Sequence, residues 1–461
     1  MHPHRAAAPN PEEETRSLRT WRLRITWIHL VLLLLFGFRV AAQFLQGYRP
    51  VNFLPEFDAW HSGLLPYGLL FAIQLVLGVG GLFVTWRVGI GRIRPDARFG
   101  FLLLSLGSLY FAAMLFRLGL ASCPGAAARG FAGQWLPAAF HLVFASWLIL
   151  IGFFHDAGSR SAGNRGLAPV ATLVHWLAYP VLIASGLLLH LLLLRAGVAL
   201  AWSTYAPVLI GAVIVTLLER NFPHRRAWQP DRSDVAGDLQ FMVFVQILLP
   251  KFLAFLVAIT ALRFLHEHEI ILDGLWPHHL PPIVQAALML LAADFLRYWL
   301  HRASHEWSPL LWRFHAVHHS PPKLYWVNVG RFHPLEKSLQ FLCDAAPFIV
   351  LGVSGEVLAL YFVFYSLNGI CQHCNIELRL GLLNYVISGP ELHRWHHSRE
   401  TRESNKNYGN NVIVWDLLFG SYFLPRDYEV AELGLRNRAY PLDFLRQMRT
   451  PFVKGLDRET R

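Results

Sequence analysis

The stretch PPIVQAALMLLAADFLRYWLHRASH, residues 281–305, decides how this chain folds. Its first part, 281–300, is predominantly apolar and is as long as a helix must be to cross a bilayer. It ends in His301 and His305, whose spacing of four residues places both imidazoles on one side of a helix. The stretch therefore predicts a membrane-spanning helix with two metal ligands at its end.

The rest of the chain has the same apolar character. Of its 461 residues, 54% are hydrophobic and 15% are charged, whereas a soluble protein carries about 25% charged residues. The apolar residues gather in runs at 24–46, 65–86, 100–121, 136–154, 168–194, 205–218, 239–265, 281–300 and 338–372. The last run is long enough for a tight hairpin, with Gly352 and Gly355 near its turn. The predicted fold class is all-α integral membrane, with about ten transmembrane or hairpin helices.

The net charge of +11 would suit a nucleic-acid-binding protein, but the arginines lie in short loops between the apolar runs. The sequence has no basic stripe interleaved with aromatic residues, so we expect no nucleic-acid partner. Positive charge is concentrated before the first run and after the second, fourth and sixth. The positive-inside rule therefore predicts that the N-terminus, the C-terminus and every histidine motif face the cytoplasm.

This pattern predicts four segments: a cytoplasmic N-terminal segment at 1–23, a six-span membrane module at 24–218, a catalytic module at 219–425 and a charged cytoplasmic tail at 426–461. A Cys-x-x-Cys pair, Cys371 and Cys374, closes the last apolar run. Since the sequence holds no second such pair to complete a tetrahedral zinc site, both are predicted to be small buried residues.

Two further histidine clusters follow the first along the chain. They are His-Ala-Val-His-His, with His315, His318 and His319, and His-Arg-Trp-His-His, with His393, His396 and His397. We expect the first and fourth histidines of each triplet to share a helical face while the fifth turns aside, so that one triplet serves two neighbouring metals. His373, at the end of the hairpin, is a further candidate. So many nitrogens fit two ions better than one, and iron, zinc, copper or manganese all remain open on residue types alone.

The motifs that carry these histidines, together with Arg331-Phe-His-Pro-Leu-Glu336 and Asn407-Tyr-Gly409, resemble the sterol desaturase / fatty acid hydroxylase family over residues 215–425. The resemblance implies an enzyme that uses dioxygen, two electrons from an external donor and a lipid taken from the bilayer. Family members with a paired third cluster have a further histidine where this chain has Gly369. The resemblance also implies a di-iron centre, with the ligands His301, His305, His315, His318, His319, His373, His393, His396 and His397.

Five polar residues in these motifs are candidates for supporting roles. Asp294 lies seven residues before His301 on the same helical face and is predicted to orient an imidazole through its free nitrogen, and Glu336 is predicted to do the same. His333 is either ligand-supporting or structural. Asn407 and Asp416 are predicted to organise loops.

The six-span module carries a second histidine pattern, which lies outside the resemblance. His141 and His155 occur on one span, and His175 and His190 on the next, at separations of fourteen and fifteen residues. In antiparallel neighbours, such pairs could hold haem b in each leaflet and pass electrons to the metal centre, so haem is a second predicted cofactor. The alternative is that these histidines only pack the helices.

Two functions of different classes fit these observations. One is a membrane-bound di-iron oxygenase that hydroxylates or desaturates a sterol, fatty acyl or related lipid, and the same motifs would also serve an ether-cleaving monooxygenase. The other is a transporter or sensor that binds metal through its histidines. Transporter sites lie near the bilayer midplane in broken helices, whereas these clusters follow the ends of spans. That difference favours the enzyme.

Overall fold

The computed structural model of the chain describes residues 11–61, 65–121, 135–160, 169–268, 272, 274–453 and 455–456. The predicted N-terminal segment and tail are therefore described only in part, and residues 1–10 and 457–461 lie outside. Within the described ranges the chain is helical and forms isolated β-bridges but no strands. Eight of its helices are long and apolar enough to cross a membrane. The prediction of a multi-pass, all-α integral membrane protein is confirmed.

The longer helices follow the predicted apolar runs. They are α1 (Pro11–Tyr48), α2 (Phe57–Trp60), α3 (Tyr67–Gly89), α4 (Ala97–Ala121), α5 (Trp135–Arg160), α6 (Pro169–Arg195), α7 (Leu200–Asn221), α8 (Arg232–Gln240), α9 (Leu249–Glu267) and α10 (Pro282–Arg302). The shorter ones are α11 (Pro309–His319), α12 (Pro334–Asp344), α13 (Ala346–Val350), α14 (Gly355–His373), α15 (Pro390–His396), α16 (Thr401–Ser404), α17 (Val414–Phe419) and α18 (Phe444–Gln447). Short 3₁₀ turns lie at Arg226–Trp228, Trp326–Gly330, Gly381–Tyr385 and Thr450–Phe452.

The chain divides into two compact units, Met1–Ala184 and Ser185–Arg461. In the first, α4 and α5 pack so closely that a Cβ added to Gly107 would lie 2.9 Å from Cγ1 of Ile149. A Cβ on Gly152 would likewise lie 2.8 Å from the backbone nitrogen of Leu104. Small residues of this kind let membrane helices approach to backbone contact. The division at Ala184 is geometric, and the predicted functional boundary after residue 218 stays a prediction.

The second unit is built around α10 and α14. Met289 and Ala293 of α10 pack against Val357 and Leu360 of α14 in a fully apolar cluster. The expected hairpin forms from α12, α13 and α14, and its turn passes through Gly352, which has a φ of 70° and so adopts the left-handed conformation that glycine favours. The hairpin delivers His373 to the C-terminal end of α14.

Two π-helical segments interrupt the long helices of this unit. Phe241–Leu248 joins α8 to α9, and Ala303–Trp307 follows α10 directly. The second segment contains His305, so the two histidines of the first cluster are separated by a change in helical winding. π-turns inside α-helices occur mostly at functional sites, where they redirect a side chain.

Candidate metal centre

The nine predicted histidines converge in the second unit and form two groups. One ring nitrogen from each member lies within 4.8 Å of those of all the other members of its group. The five-histidine group consists of His301, His305, His315, His319 and His396, and the four-histidine group of His318, His373, His393 and His397. Four helices and one π-turn, far apart in sequence, thus bring together every histidine that the motifs singled out.

The spacing of the inward-facing nitrogens matches that of ligands on a shared ion. Two imidazole nitrogens that each lie about 2.1 Å from one ion, at right angles to each other, are about 3.0 Å apart. The Nε2 atoms of neighbouring members lie 3.0–3.2 Å apart in the five-histidine group and 3.0–3.1 Å apart in the four-histidine group. Since each set of donors suits one ion, the residues fit a pair of metals.

The outward-facing Nδ1 atoms fix the tautomer of most of these rings. An Nδ1–H that donates a hydrogen bond leaves the lone pair on Nε2, where a metal would bind. The acceptors for His315, His305 and His373 are side chains, while His301, His318 and His396 face backbone carbonyls. The distances are 2.6 Å to Glu336, 3.1 Å to Asn405 and 2.7 Å to Asn328, then 2.8 Å to the carbonyl of Tyr408, 3.2 Å to that of Arg331 and 2.9 Å to that of Lys406.

Each triplet contributes to both groups, as expected, but the division within the triplets was predicted wrongly. His315 and His319, the first and fifth residues, face the five-histidine group, while His318, the fourth, faces the other. In the second triplet His393 and His397 share a group and His396 departs from it. The reason is helical geometry, because residues four apart differ by about 40° around the axis and residues three apart by about 60°.

Burial makes these imidazoles neutral. The pKa values of His318, His319, His393 and His397 lie well below 6.5, because the buried rings lose the hydration that the charged form needs and because neighbouring imidazoles oppose further positive charge. Burial likewise lowers the pKa of His396 to about 3. Neutral imidazole is the form that binds a metal, so the site is prepared for one at physiological pH.

The supporting residues divide into two kinds. Glu336 contacts His315 as predicted. Asp294 differs from the expectation, since its carboxylate accepts hydrogen bonds from the backbone amides of Asn411 and Val412 at 2.5 and 2.6 Å and reaches no imidazole. His333 has a structural role, because its Nδ1 accepts the amide of Leu335 and caps α12.

Asn407 and Asp416 organise the loop that follows the third cluster, as predicted. The Asn407 side chain bonds to the backbone of Leu392 and Phe423, and Asp416 accepts the amides of Tyr408 and Gly409, each at 2.7 Å. Away from the loop, Cys371 and Cys374 are buried and carry free thiols, in agreement with the sequence-based expectation.

A cavity of about 270 Å³ reaches both histidine groups. Its wall is formed by α7, by residues 242–251 and by α14, which contributes Phe362, Tyr365 and Gly369. His301 and His315 line it from one group, and His318, His373 and His393 from the other. Nearly all of its lining away from the histidines is apolar, as a lipid chain requires.

The predicted haem site receives no support from the first unit's histidines. Nδ1 of His155 accepts the backbone amide of Asp96 at 3.1 Å, which leaves the ring proton on Nε2 and removes that lone pair from metal binding. His141 lies 2.5 Å from the hydroxyl of Tyr110, and His175 is buried. In the second unit, Nδ1 of His190 faces the carbonyl of Ser203 at 2.9 Å. Among the described residues, groups of three or more metal-binding side chains occur only at the nine clustered histidines.

Comparison with known proteins gives the same picture. A family model described as fatty acid hydroxylase matches residues 286–421. An ornithine lipid hydroxylase of Rhizobium tropici is 32% identical over 302 residues, which cover 64% of this chain and 87% of the relative. An alkylglycerol monooxygenase of Danio rerio is 30% identical over 135 residues, or 29% of this chain and 30% of the relative. A very-long-chain aldehyde decarbonylase of Oryza sativa is 29% identical over 169 residues, or 34% of this chain and 25% of the relative. No solved structure matches the chain.

The fold and the site define a membrane-embedded metalloprotein whose two histidine groups open on one apolar cavity. The extent of the match to the ornithine lipid hydroxylase makes the family plain. The chain belongs to the sterol desaturase / fatty acid hydroxylase family, and it is an oxygen-dependent oxidoreductase rather than a transporter or sensor.

Proposed function

We propose that this protein is a di-iron monooxygenase that hydroxylates a lipid. The observation that carries the proposal is the pair of neutral imidazole groups, each spaced for one ion, beside a cavity that opens among membrane-spanning helices. Hydroxylation is favoured over desaturation because the relative covered over most of its length is a lipid hydroxylase. A lipid bearing an amino acid is the first substrate to test for the same reason.

When bound, two iron ions would supply the activation of dioxygen, which an unactivated C–H bond needs and which amino-acid side chains cannot provide. The overall reaction joins one oxygen atom to the substrate carbon and reduces the other to water, consuming two protons and two external electrons. The protein's own part is to bind and orient. Glu336 and the carbonyl acceptors hold the imidazoles, while the apolar cavity wall positions the chain and excludes water from the reacting carbon.

The sidedness of the membrane is part of the proposal. With the N-terminus and C-terminus in the cytoplasm, the histidines face that compartment, where soluble electron donors are available. The distribution of arginines between successive spans supports this orientation. Cysteine-accessibility labelling of single residues in loops on either side would test it.

The first experiment is elemental analysis of the detergent-purified protein beside a His318→Ala/His396→Ala variant, which removes one ligand from each group. About two irons per chain, lost in the variant, is the expected result, because nine ligands suit two ions. A folded protein without stoichiometric metal would overturn the proposal.

The second experiment uses isotopically labelled dioxygen with purified protein, reductant and lipid. Hydroxylation predicts one labelled oxygen atom in the product alcohol. Label that enters from water instead would exclude a monooxygenase, and an alkene without label would show desaturation.

A further inference from the structure

The cavity is chemically asymmetric along its length. Beside the histidines it is lined by polar side chains, and these are Arg297, Gln340, Gln372, Asn410 and Asn411. Away from them the lining is almost entirely apolar and includes Val208, Leu209 and Phe362. A lipid that filled this cavity would match it only with its polar part beside the histidines and its tail along the apolar wall.

The length of the cavity can be read from α14, which lines it from Phe362 to His373. Eleven residues of α-helix span about 16 Å. The polar and apolar ends are therefore far enough apart that one amphipathic molecule has to choose its direction.

Arg297 is the charged group at the polar end. It precedes His301 by one helical turn and is only 6% exposed, while still lining the cavity. Its Nη1 donates to Asp344 at 2.7 Å and its Nη2 to Asn410 at 3.1 Å. A guanidinium carries five N–H donors, and within the described part of the chain Nε of Arg297 has no acceptor. The Asp344 contact holds the group rigid while leaving donors available.

We infer that Arg297 binds an anionic oxygen, as in a carboxylate or phosphate, in the headgroup of the lipid substrate, and so places a carbon near the headgroup beside the histidines. The inference rests on the proposed function and specifies its substrate class: acidic or zwitterionic lipids oxidised close to their polar end, not in mid-chain. Guanidinium suits this role because its planar fork matches the geometry of both anions.

A second cation, Lys251, marks the alternative. It lies at the other end of the cavity, 4.9 Å from the ring of Tyr205, whose other face contacts Phe362. It forms no salt bridge with any described residue. A headgroup held there would place the reacting carbon about 16 Å away along the chain. Arg297 is preferred because polar side chains surround it, whereas Ile247, Pro250 and Leu209 line the cavity around Lys251.

The test measures binding rather than turnover. N-palmitoyl-ornithine and its methyl ester differ only in the carboxylate, so the ratio of their dissociation constants reports recognition of that group. On the anaerobic, iron-loaded full-length protein we expect the ester to bind about tenfold more weakly or worse. Arg297→Gln should bring the ratio close to one, and Lys251→Gln should leave it unchanged. Acetate, which has the carboxylate but no chain, should not displace the acid.

Because Arg297→Gln leaves the Asp344 carboxylate buried without its partner, the Arg297→Gln/Asp344→Asn variant is measured beside it. Iron content and melting temperature report whether both are folded. A ratio near one in the unmutated protein overturns the inference, and so does a ratio that collapses in Lys251→Gln only. A purely structural Arg297 would weaken acid and ester alike and preserve the ratio, which also overturns it. Failure of oxygen insertion would leave these ratios intact, so the two proposals fail separately.

Discussion

Oε1 of Glu336 lies 2.6 Å from Nδ1 of His315, and both side chains are almost completely buried. The carboxylate on α12 thereby accepts the Nδ1–H of a ring on α11 and turns its Nε2 toward the five-histidine group. The same oxygen accepts a hydrogen bond from Gln340 at 3.0 Å, which fixes the carboxylate in turn. One metal-facing imidazole is thus oriented by a residue that touches no metal itself.

We predict that Glu336→Gln lowers iron affinity by about tenfold or more, since loss of the partner that orients a ligand has effects of this size. The amide is a weaker acceptor than the carboxylate and no longer raises the basicity of His315. The measurement is retention of iron against a chelator of graded concentration. His333→Ala is the matched control, because His333 caps the same helix and lies outside both groups. It should reduce stability by about 1 kcal/mol and retain iron. Equal iron loss in both variants would contradict the assigned role.

A second prediction concerns Asn407, which has a φ of 56° and is flanked by two metal-site contacts. The carbonyl of Lys406 faces His396 and that of Tyr408 faces His301, both in the five-histidine group. Asn407→Ala removes three hydrogen bonds and places a Cβ residue without local side-chain compensation in the left-handed region, so we expect destabilisation by about 3 kcal/mol. Iron should be lost from one group before the other, leaving about one ion per chain.

Thermal unfolding and elemental analysis of the same preparation check both parts of that prediction. Asn437→Ala offers the comparison, since Asn437 makes one exposed loop hydrogen bond, to Ala439. Full iron content in a destabilised Asn407→Ala protein would show that the loop does not hold the imidazoles.

The membrane fold could be predicted from the sequence because its determinants are local. A run such as 281–300 contains its own length and hydrophobicity, and the eight spans follow the apolar runs closely. The ligands could be found for a similar reason, since His301, His305 and the two triplets repeat a spacing with few other uses. The wrong pairing within the triplets was avoidable, because the angular difference between residues three and four apart follows from helix geometry.

The supporting contacts could not be predicted in the same way. Asp294 does lie on the face of His301, but its partners belong to a loop at 411–412, and sequence spacing does not say where that loop folds back. The acceptors for His301, His318 and His396 are backbone carbonyls, and every residue has one, so no residue type marks them. Long-range folding, not local pattern, decides these contacts.

A third prediction concerns pH. Burial lowers the pKa of His396 to about 3, against 6.5 for an exposed histidine, and the unfolded chain therefore binds more protons than the folded one between these values. The metal-free protein should lose stability as the pH falls through 6.5 toward 3, by up to about 1.4 kcal/mol per pH unit for each such histidine. Melting temperatures of the metal-free protein at pH 7.5, 6 and 5 test this. A flat profile would show that the rings are hydrated or already protonated.

The last prediction concerns Gly369, which lines the cavity on α14 one turn before His373. A Cβ at this position would lie 3.4 Å from Cγ2 of Val329, which is ordinary contact, so Gly369→Ala should fold and should gain up to about 1 kcal/mol in helix propensity. Gly369→Leu adds a branched chain that must enter the cavity, so substrate-dependent oxygen consumption should fall by about tenfold or more. Iron content should be unchanged in both, because neither touches a ligand nitrogen. Loss of iron in Gly369→Leu would show that the histidine groups, rather than the substrate cavity, had been disturbed, and full activity would mean that the lipid does not pass along this face of α14.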